Sequence, residues 1–347
     1  MFLKNYWYVA ANANEIDRKP MARTLLGEPV VMYRLENGTP VALEDRCVHR
    51  HLPLSMGKLV GDVIQCHYHG LQYDCTGQCT KVPGQDMVPP NAKIKSYPVV
   101  ERYKWIWIWM GDPAKADPAG ITDFHWFDDP AWGAGQSYLH VKANWQLIVD
   151  NLLDLTHETY IHRDSLGNQA VVEHPIEVVH DDDSVTVQRF MFNHEPAPFW
   201  KAMLNKKLGR DVPADRWQII HFRPPANLVL DVGVAPTGAG VREGHRSSGV
   251  EGCNLNAITP ETEHSTWYFW AFARKFVRDD AALTQKLADT VAGIFEQDRV
   301  AIEAVHETML RNRGRPVIHL QTDKGQNIAR RLVERRVAAE SSPDASR

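Results

Sequence analysis

The segments Cys47-Val48-His49-Arg50 and Cys66-His67-Tyr68-His69-Gly70-Leu71 carry the strongest local signal in the chain. They read as C-x-H, sixteen intervening residues, then C-x2-H. Each loop supplies one thiolate and one imidazole. A [2Fe-2S] cluster with mixed ligation needs two thiolates on one iron and two imidazoles on the other, and two such loops can straddle it. The same residue types also build tetrahedral Cys2His2 zinc sites, but those group their ligands as C-x2-4-C and H-x3-5-H. Mixed pairs set among strands favour the cluster, with Cys47, His49, Cys66 and His69 as its ligands.

Around these loops the chain reads as short strands between turns: Trp7 to Ala10, Val30 to Tyr33, Pro40 to Glu44, Val63 to Cys66 and Trp105 to Trp109. In the last of these Trp and Ile alternate, so one face carries three indoles and the other two isoleucines. Tyr73-Asp74-Cys75-Thr76-Gly77 reads as a hairpin turn, which leaves Cys75 and Cys79 without a chemical role, and Cys253 is isolated. Ala114 to Gly135 is rich in Pro, Asp, Ala and Gly and lacks periodicity. We therefore expect a first domain over 1–115, a linker over 116–135, a second domain over 136–335 and a disordered tail over 336–347.

Size and composition agree with two packed units, since 347 residues exceed one typical domain. Charged residues make up 24% and the net charge is -4, without blocks of like charge, so neither a nucleic-acid surface nor a polybasic membrane patch is expected. No apolar run approaches transmembrane length, and Met1 to Ala10 lacks the pattern of a secretory signal. Five cysteines in so long a chain do not suggest a disulfide framework, and the expected location is cytoplasmic.

The second half shows helical periodicity at about Trp145 to Tyr160 and Ala281 to Arg311, separated by strand-like runs such as Val185 to Phe192, Leu228 to Val234 and Thr266 to Ala273. An antiparallel sheet covered by helices is the expected arrangement. Within the first helical segment, Asn151, Asp154 and His157 form a polar stripe three residues apart, costly in an apolar setting unless it has partners. His157 and His162 lie about 140° apart on a regular helix, so one metal takes both only if the helix ends or bulges between them. In the later helix Leu287, Val291, Ile294, Ile302, Val305 and Met309 make an apolar stripe that Asp298 interrupts. Glu296 and Glu303 are expected on the solvated side. Two histidines and a carboxylate on one face are how Fe(II) is held for O2 activation, so His157, His162 and Asp298 are the candidate metal ligands.

The segments Cys47-Val48-His49-Arg50 and Cys66-His67-Tyr68-His69-Gly70-Leu71, with Pro53-Leu54-Ser55 between, resemble the Rieske domain of aromatic-ring and demethylating oxygenases. Asp154, His157 and His162 match that family's D-x2-H-x4-H motif, and the resemblance extends over about residues 1 to 330. Stretches such as Tyr97-Pro98-Val99-Val100-Glu101-Arg102 look most like the vanillate O-demethylase, dicamba demethylase and toluenesulfonate methyl-monooxygenase group.

The resemblance implies an α+β fold: an all-β Rieske [2Fe-2S] domain, then a helix-grip catalytic domain whose antiparallel sheet is covered by helices. It implies that His49 and His69 ligate the outer iron and that a mononuclear Fe(II) occupies the second site. It further implies a head-to-tail homotrimer in which Asp154, the catalytic carboxylate, bridges His157 to the cluster ligand His69 of a neighbouring subunit. A carboxylate bonded to a metal-ligating histidine would also fix its ring. No nucleotide-binding G-x-G-x-x-G opens a helix, so electrons are expected from a separate NAD(P)H-dependent flavin and iron-sulfur reductase. The expected reaction is hydroxylation of a methyl or methoxy group of a small aromatic acid by O2. Ring hydroxylation by the same centres and a plain Rieske electron carrier are the alternatives. His194, His221, Arg223 and Asn256 can each be read as a head-group contact or as a satisfied sheet residue, and none is assigned to substrate.

Overall fold

The computed structural model describes residues 2–341. The chain divides into two units, one running to Ile121 and including Thr259–Glu263, the other comprising Thr122–Ile258 and the chain from His264 onward.

The first unit is built from eleven strands: β1 (Trp7–Asn12), β2 (Met21–Leu25), β3 (Glu28–Arg34), β4 (Pro40–Glu44), β5 (Lys58–Val60), β6 (Val63–Gln65), β7 (Gln72–Tyr73), β8 (Cys79–Lys81), β9 (Ser96–Tyr97), β10 (Val99–Arg102) and β11 (Trp105–Trp109). They form sheets in the orders β1-β11-β10, β2-β3-β4-β9 and β5-β6-β7-β8. In β11 all five residues of the Trp/Ile alternation are buried, because the strand lies between β1 and β10 with both faces covered. Burying three indoles requires partners for their N–H groups. Trp105 donates to Asn12 Oδ1 at 3.0 Å, Trp107 to the Arg102 carbonyl at 3.0 Å and Trp109 to the Asp112 carbonyl at 2.8 Å.

The stretch expected to be a linker over 116–135 is ordered. Asp112 and Asp117 each cap a 3-10 turn that begins with proline, and Ile121, Phe124 and Phe127 are buried. Asp-Pro is a helix-start signal, since Asp accepts an orphan N–H and proline has none to lose.

The second unit is a seven-stranded sheet with helices. Its elements are β12 (Gly133–Val141), α1 (Trp145–Leu153), α2 (Glu158–Ile161), α3 (Ala170–Glu173), β13 (Glu177–His180), β14 (Val185–His194), α4 (Pro198–Leu208), β15 (Ala214–Arg223), β16 (Asn227–Pro236), β17 (Val250–Pro260), β18 (Thr266–Arg274), α5 (Ala281–Arg311) and α6 (Lys324–Glu340). The sheet order is β12-β18-β17-β16-β15-β14-β13, with antiparallel neighbours, and α5 packs on β12 and β18. This is the expected α+β arrangement of an all-β unit and a sheet gripping a long helix.

Two expectations for the helices are corrected. The single helix from Trp145 to Tyr160 is broken: α1 ends at Leu153, Asp154 takes extended angles (φ -128°, ψ 94°), and a 3-10 turn at Leu155–His157 precedes α2. The apolar stripe of α5 continues from Ile302 to buried His306, whereas Val305 and Met309 are exposed. On a regular helix Val305 and Met309 share the phase of buried Leu287 and Val291, so they are exposed because this end of α5 is less covered and not because of helix phase.

The tail expected to lose structure from 336 is helical to Glu340 with Ser341 as its cap, and 342–347 lie outside the described residues. Ala329, Leu332 and Val333 of α6 are buried, and Arg330 pairs with Asp150 on α1, which together hold the helix down.

Candidate functional site

In the first unit the two Cys/His loops are built alike. The Cys47 amide donates to the Leu52 carbonyl at 2.9 Å and its carbonyl accepts from His51 at 2.9 Å. The Cys66 amide donates to the Leu71 carbonyl at 2.8 Å and its carbonyl accepts from Gly70 at 3.1 Å. Residues 51 and 70, each four after the cysteine, have φ of 59° and 75°. Glycine takes that conformation freely, whereas His51 does so against its side chain, a cost the repeated hydrogen bonds offset.

Each loop turns its thiol inward and its imidazole outward. Cys47 and Cys66 are both 1% exposed, within a core that includes Tyr73, Ile64 and Leu54. His49 and His69 are exposed, with ring centroids 4.5 Å apart. Burial pushes the Cys66 thiol above its ordinary range, as does Cys47 beside it, opposed by the Tyr68 and His69 amides. Held in this way, the Cys66 thiol ionises readily once a cation sits beside it. Tyr73 Oη lies 3.2 Å from Cys47 Sγ and accepts from the Val48 amide. Cys79 is buried in the same core and Cys75 is exposed in the Asp74–Gly77 turn. This donor set fits a cluster between the loops.

In the second unit His157, His162 and Asp298 converge, their donor atoms all within 4.8 Å of one another. Asp298 Oδ1 lies 3.1 Å from His162 Nε2 and 3.4 Å from His157 Nε2. Ligand bonds of about 2.1 Å at roughly 90–110° put donor atoms about 3.0–3.4 Å apart, so the spacing suits one ion. The broken helix makes this possible: His157 stands at the start of α2 and His162 at its end. The His162 carbonyl accepts from the Ser165, Leu166 and Gly167 amides, each at 3.0 Å, which ties the following loop against the turn. Gly167 is required there, since a Cβ would fall 1.9 Å from the Glu158 carbonyl oxygen.

The far nitrogen of each ring is held. His157 Nδ1 lies 2.7 Å from the Asp154 carbonyl oxygen, and His162 Nδ1 lies 2.8 Å from Gln297 Oε1. Both acceptors fix a proton on Nδ1 and direct the Nε2 lone pairs at the shared point. The carboxylate of Asp154 does not bond His157; it caps the 3-10 turn, accepting from the Thr156 amide at 2.9 Å. Helix α1 ends at Asp154, so the residue offers His157 its main chain and turns its side chain along the turn.

Asp298 is 5% exposed and accepts from Asn151 Nδ2 at 3.2 Å. Burial pulls the His162 imidazole down, but the hydrogen bond and charge of Asp298, with Gln297, outweigh it and hold the group above its ordinary value. The buried carboxylate therefore calls for a cation, met by a proton on His162 or by a divalent ion. Two imidazoles and one carboxylate gathered at one point are a donor set that suits Fe(II). Glu296 is on the exposed face with Arg299, whereas Glu303 is partly covered and accepts from the Lys142 amide at 2.9 Å. Sequence reasoning did not find Gln297, although it adjoins Asp298, nor the Tyr73 contact.

Residues 141–339 match the vanillate O-demethylase oxygenase C-terminal domain family, and residues 6–98 match the Rieske [2Fe-2S] domain family. A toluene-4-sulfonate monooxygenase system iron-sulfur subunit of Comamonas testosteroni is 43% identical, covering 98% of this chain and 99% of that protein. The crystal structure of dicamba monooxygenase bound to 3,6-dichlorosalicylic acid has a TM-score of 0.91 at 34% identity, covering 98% of this chain and 99% of that one. Dicamba monooxygenase with non-haem iron and dicamba has a TM-score of 0.84 at 33% identity, covering 98% of each chain.

Proposed function

We propose, from the premise that this chain belongs to the Rieske oxygenases of the vanillate O-demethylase group, that it is the terminal oxygenase of a system that hydroxylates a methyl or methoxy C–H of a small aromatic acid. The observation that carries this reading is the convergence of His157, His162 and Asp298 on one point, in a chain that also holds two matched Cys/His loops. A Rieske electron carrier has no use for the first of these.

When bound, the [2Fe-2S] cluster supplies electrons one at a time and the mononuclear Fe(II) supplies an O2-activating centre with open positions. Cys47 and Cys66 would hold the inner iron as buried thiolates, and His49 and His69 the outer, exposed one. His157, His162 and Asp298 would hold the mononuclear iron, with the Asp154 carbonyl and Gln297 keeping each imidazole's proton on Nδ1. Asn151 orients the Asp298 carboxylate. Leu152, Leu153 and Leu155 are buried around the turn and keep bulk water from it.

With two electrons and two protons, one atom of O2 enters the methyl C–H and the other leaves as water. A methoxy substrate then gives a hemiacetal that collapses to phenol and formaldehyde, and an aryl methyl group gives a benzylic alcohol. The electrons come from a separate NAD(P)H-dependent flavin and iron-sulfur reductase that docks near the cluster's exposed His49. The working assembly in this reading is a cytoplasmic head-to-tail homotrimer, in which the Asp154 carboxylate faces His69 of the partner subunit. In support, Asp154 is half-buried and its Oδ2 takes no hydrogen bond among the described residues.

The test is aerobic turnover, with a surrogate reductase, of methoxylated, methylated and sulfonated aromatic acids, together with iron analysis. Formaldehyde or benzylic alcohol in step with NADH use, and about three irons per chain, is the expected result. About two irons and no product from any substrate would leave an electron carrier.

A further inference from the structure

Helix α2 is four residues long, too short to hold its own geometry in water, yet it sets the spacing between the two candidate metal ligands at its ends. Something outside the helix must hold it. Glu158, its first residue, directly follows His157 and is 3% exposed. Its Oε2 accepts from a terminal nitrogen of Arg216 at 2.8 Å and from Gln218 Nε2 at 3.0 Å. Arg216 and Gln218 stand two apart on β15, hence on one face of the sheet, and both are buried. Because β15 is paired with β14 on one side and β16 on the other, its side chains leave from a rigid base.

The other terminal nitrogen of Arg216 donates to the Leu166 carbonyl at 2.9 Å, and the Leu166 amide in turn donates to the His162 carbonyl at 3.0 Å. One guanidinium thus reaches the residue after His157 and, through Leu166, the main chain of His162. As a source of stability the arrangement is poor. A buried ion pair barely offsets its own desolvation, and Arg216 Nε and Gln218 Oε1 are buried without partners among the described residues, which adds a cost. What the network supplies is direction, since a planar guanidinium with both terminal nitrogens engaged has no freedom left to rotate.

We infer that Arg216 is a positioning residue for the metal site, clamping Glu158 and the Leu166 carbonyl to β15 so that the His157-to-His162 turn has its geometry before an ion arrives. The inference rests on the metal-ligand assignment above and extends it to a strand that supplies no ligand.

The probe is Co(II), titrated by calorimetry into full-length protein that keeps its cluster but has been freed of mononuclear metal. E158Q/R216M replaces both charges with neutral side chains of similar shape, a change buried pairs tolerate, so its metal-free melting temperature should stay close to that of wild type. Co(II) affinity should nonetheless fall about 10- to 100-fold, the scale for losing a group that orients ligands. The oxidised cluster is silent in electron paramagnetic resonance, so the Co(II) signal reads ligand geometry directly, and it should broaden in the variant. R216K keeps a cation beside Glu158 without the planar fork and should show the same losses; it decides the matter should the double variant not fold. Unchanged Co(II) affinity and line shape in either folded variant would overturn the inference and reduce the network to core packing. In metal-free wild type the Ser165, Leu166 and Gly167 amides should already resist hydrogen exchange, and protection that appears only after Co(II) is added would overturn it as well. Asp298→Ala separates this from the ligand assignment itself: Co(II) binding that survives there means the ion sits elsewhere, and both readings fall together.

Discussion

Asp298 Oδ1 and His162 Nε2 lie 3.1 Å apart although 136 residues separate them in the chain. The contact joins the loop after α2 to the middle of α5, so the site forms only when the second unit is folded. It also sets a competition, since the hydrogen bond that raises the His162 pKa is one a divalent ion must displace.

Asp298→Ala should lose the mononuclear iron and turnover while keeping the cluster spectrum. Glu296→Ala removes only a pairing with Arg299 on the exposed face and should change stability by less than about 0.5 kcal/mol. Iron analysis and thermal melts check both. A dead Glu296 variant with an active Asp298 variant would invert the assignment.

Gln297→Leu removes the acceptor for His162 Nδ1–H without touching a proposed ligand. Iron affinity is expected to fall roughly 10- to 100-fold, with folding intact. Competition against a ferrous chelator measures it, and unchanged affinity would mean that the ring is held by packing alone.

Much of this site was legible because metal chemistry leaves residue types at readable spacing: C-x-H, C-x2-H, and an acid interrupting an apolar stripe. What was not legible is main-chain geometry. Leu152, Leu153 and Leu155 continue the apolar run past Asp154 and hide the end of α1, although Asp is a strong cap residue. Spacing could not tell the Asp154 carbonyl from its carboxylate. The similarity of the two cluster loops rests on a positive φ at His51, which nothing about histidine announces. Arg216, which pairs with Glu158 next to His157, lies in β15 within Ala214–Trp217, all buried, where simple alternation places every second residue in solvent.

Replacing His49 or His69 should abolish the cluster spectrum and leave the second unit folded, since the two sites belong to separate units. Tyr73→Phe should keep the cluster but lower its reduction potential, because Cys47 Sγ loses a neighbouring O–H donor that favours the reduced, more negative state. Spectroelectrochemistry reads the shift, and an unchanged potential would show that the hydroxyl does not donate to sulfur.

Glu28 gives the first unit a defined acid sensitivity. Burial raises its pKa, but hydrogen bonds from Lys4, Lys95 and Tyr97 outweigh that and lower it from 4.5 to about 2. Because the folded form gives up its proton more readily, the stabilisation is complete above about pH 4.5 and disappears as pH falls toward 2. Glu28→Gln should cost on the order of 1 kcal/mol at neutral pH after solvent screening, and nothing near pH 2. Denaturant melts at several pH values would reveal a cost that failed to vanish in acid.

Asp154→Asn separates assembly from electron transfer. Asparagine caps helices as well as aspartate, so the turn at Leu155–His157 should survive, and the backbone carbonyl that holds His157 Nδ1 is untouched. Both metals should therefore be largely retained. If the carboxylate lies on the electron path to His69 of the partner subunit, turnover must fall much further than iron occupancy. The measurement is a single turnover of pre-reduced, iron-replete protein, following cluster oxidation after methoxybenzoate and O2 are added. Wild-type cluster should oxidise as formaldehyde forms, whereas in the variant it should stay reduced or oxidise slowly without product. Asp154→Ala is the control: it loses the cap as well as the charge, about 1 kcal/mol of stability, so it should melt earlier than Asp154→Asn with the same electron-transfer defect. Normal cluster oxidation and product yield in Asp154→Asn would take the carboxylate off the path and leave it only the role of ending α1 and capping the turn that presents His157.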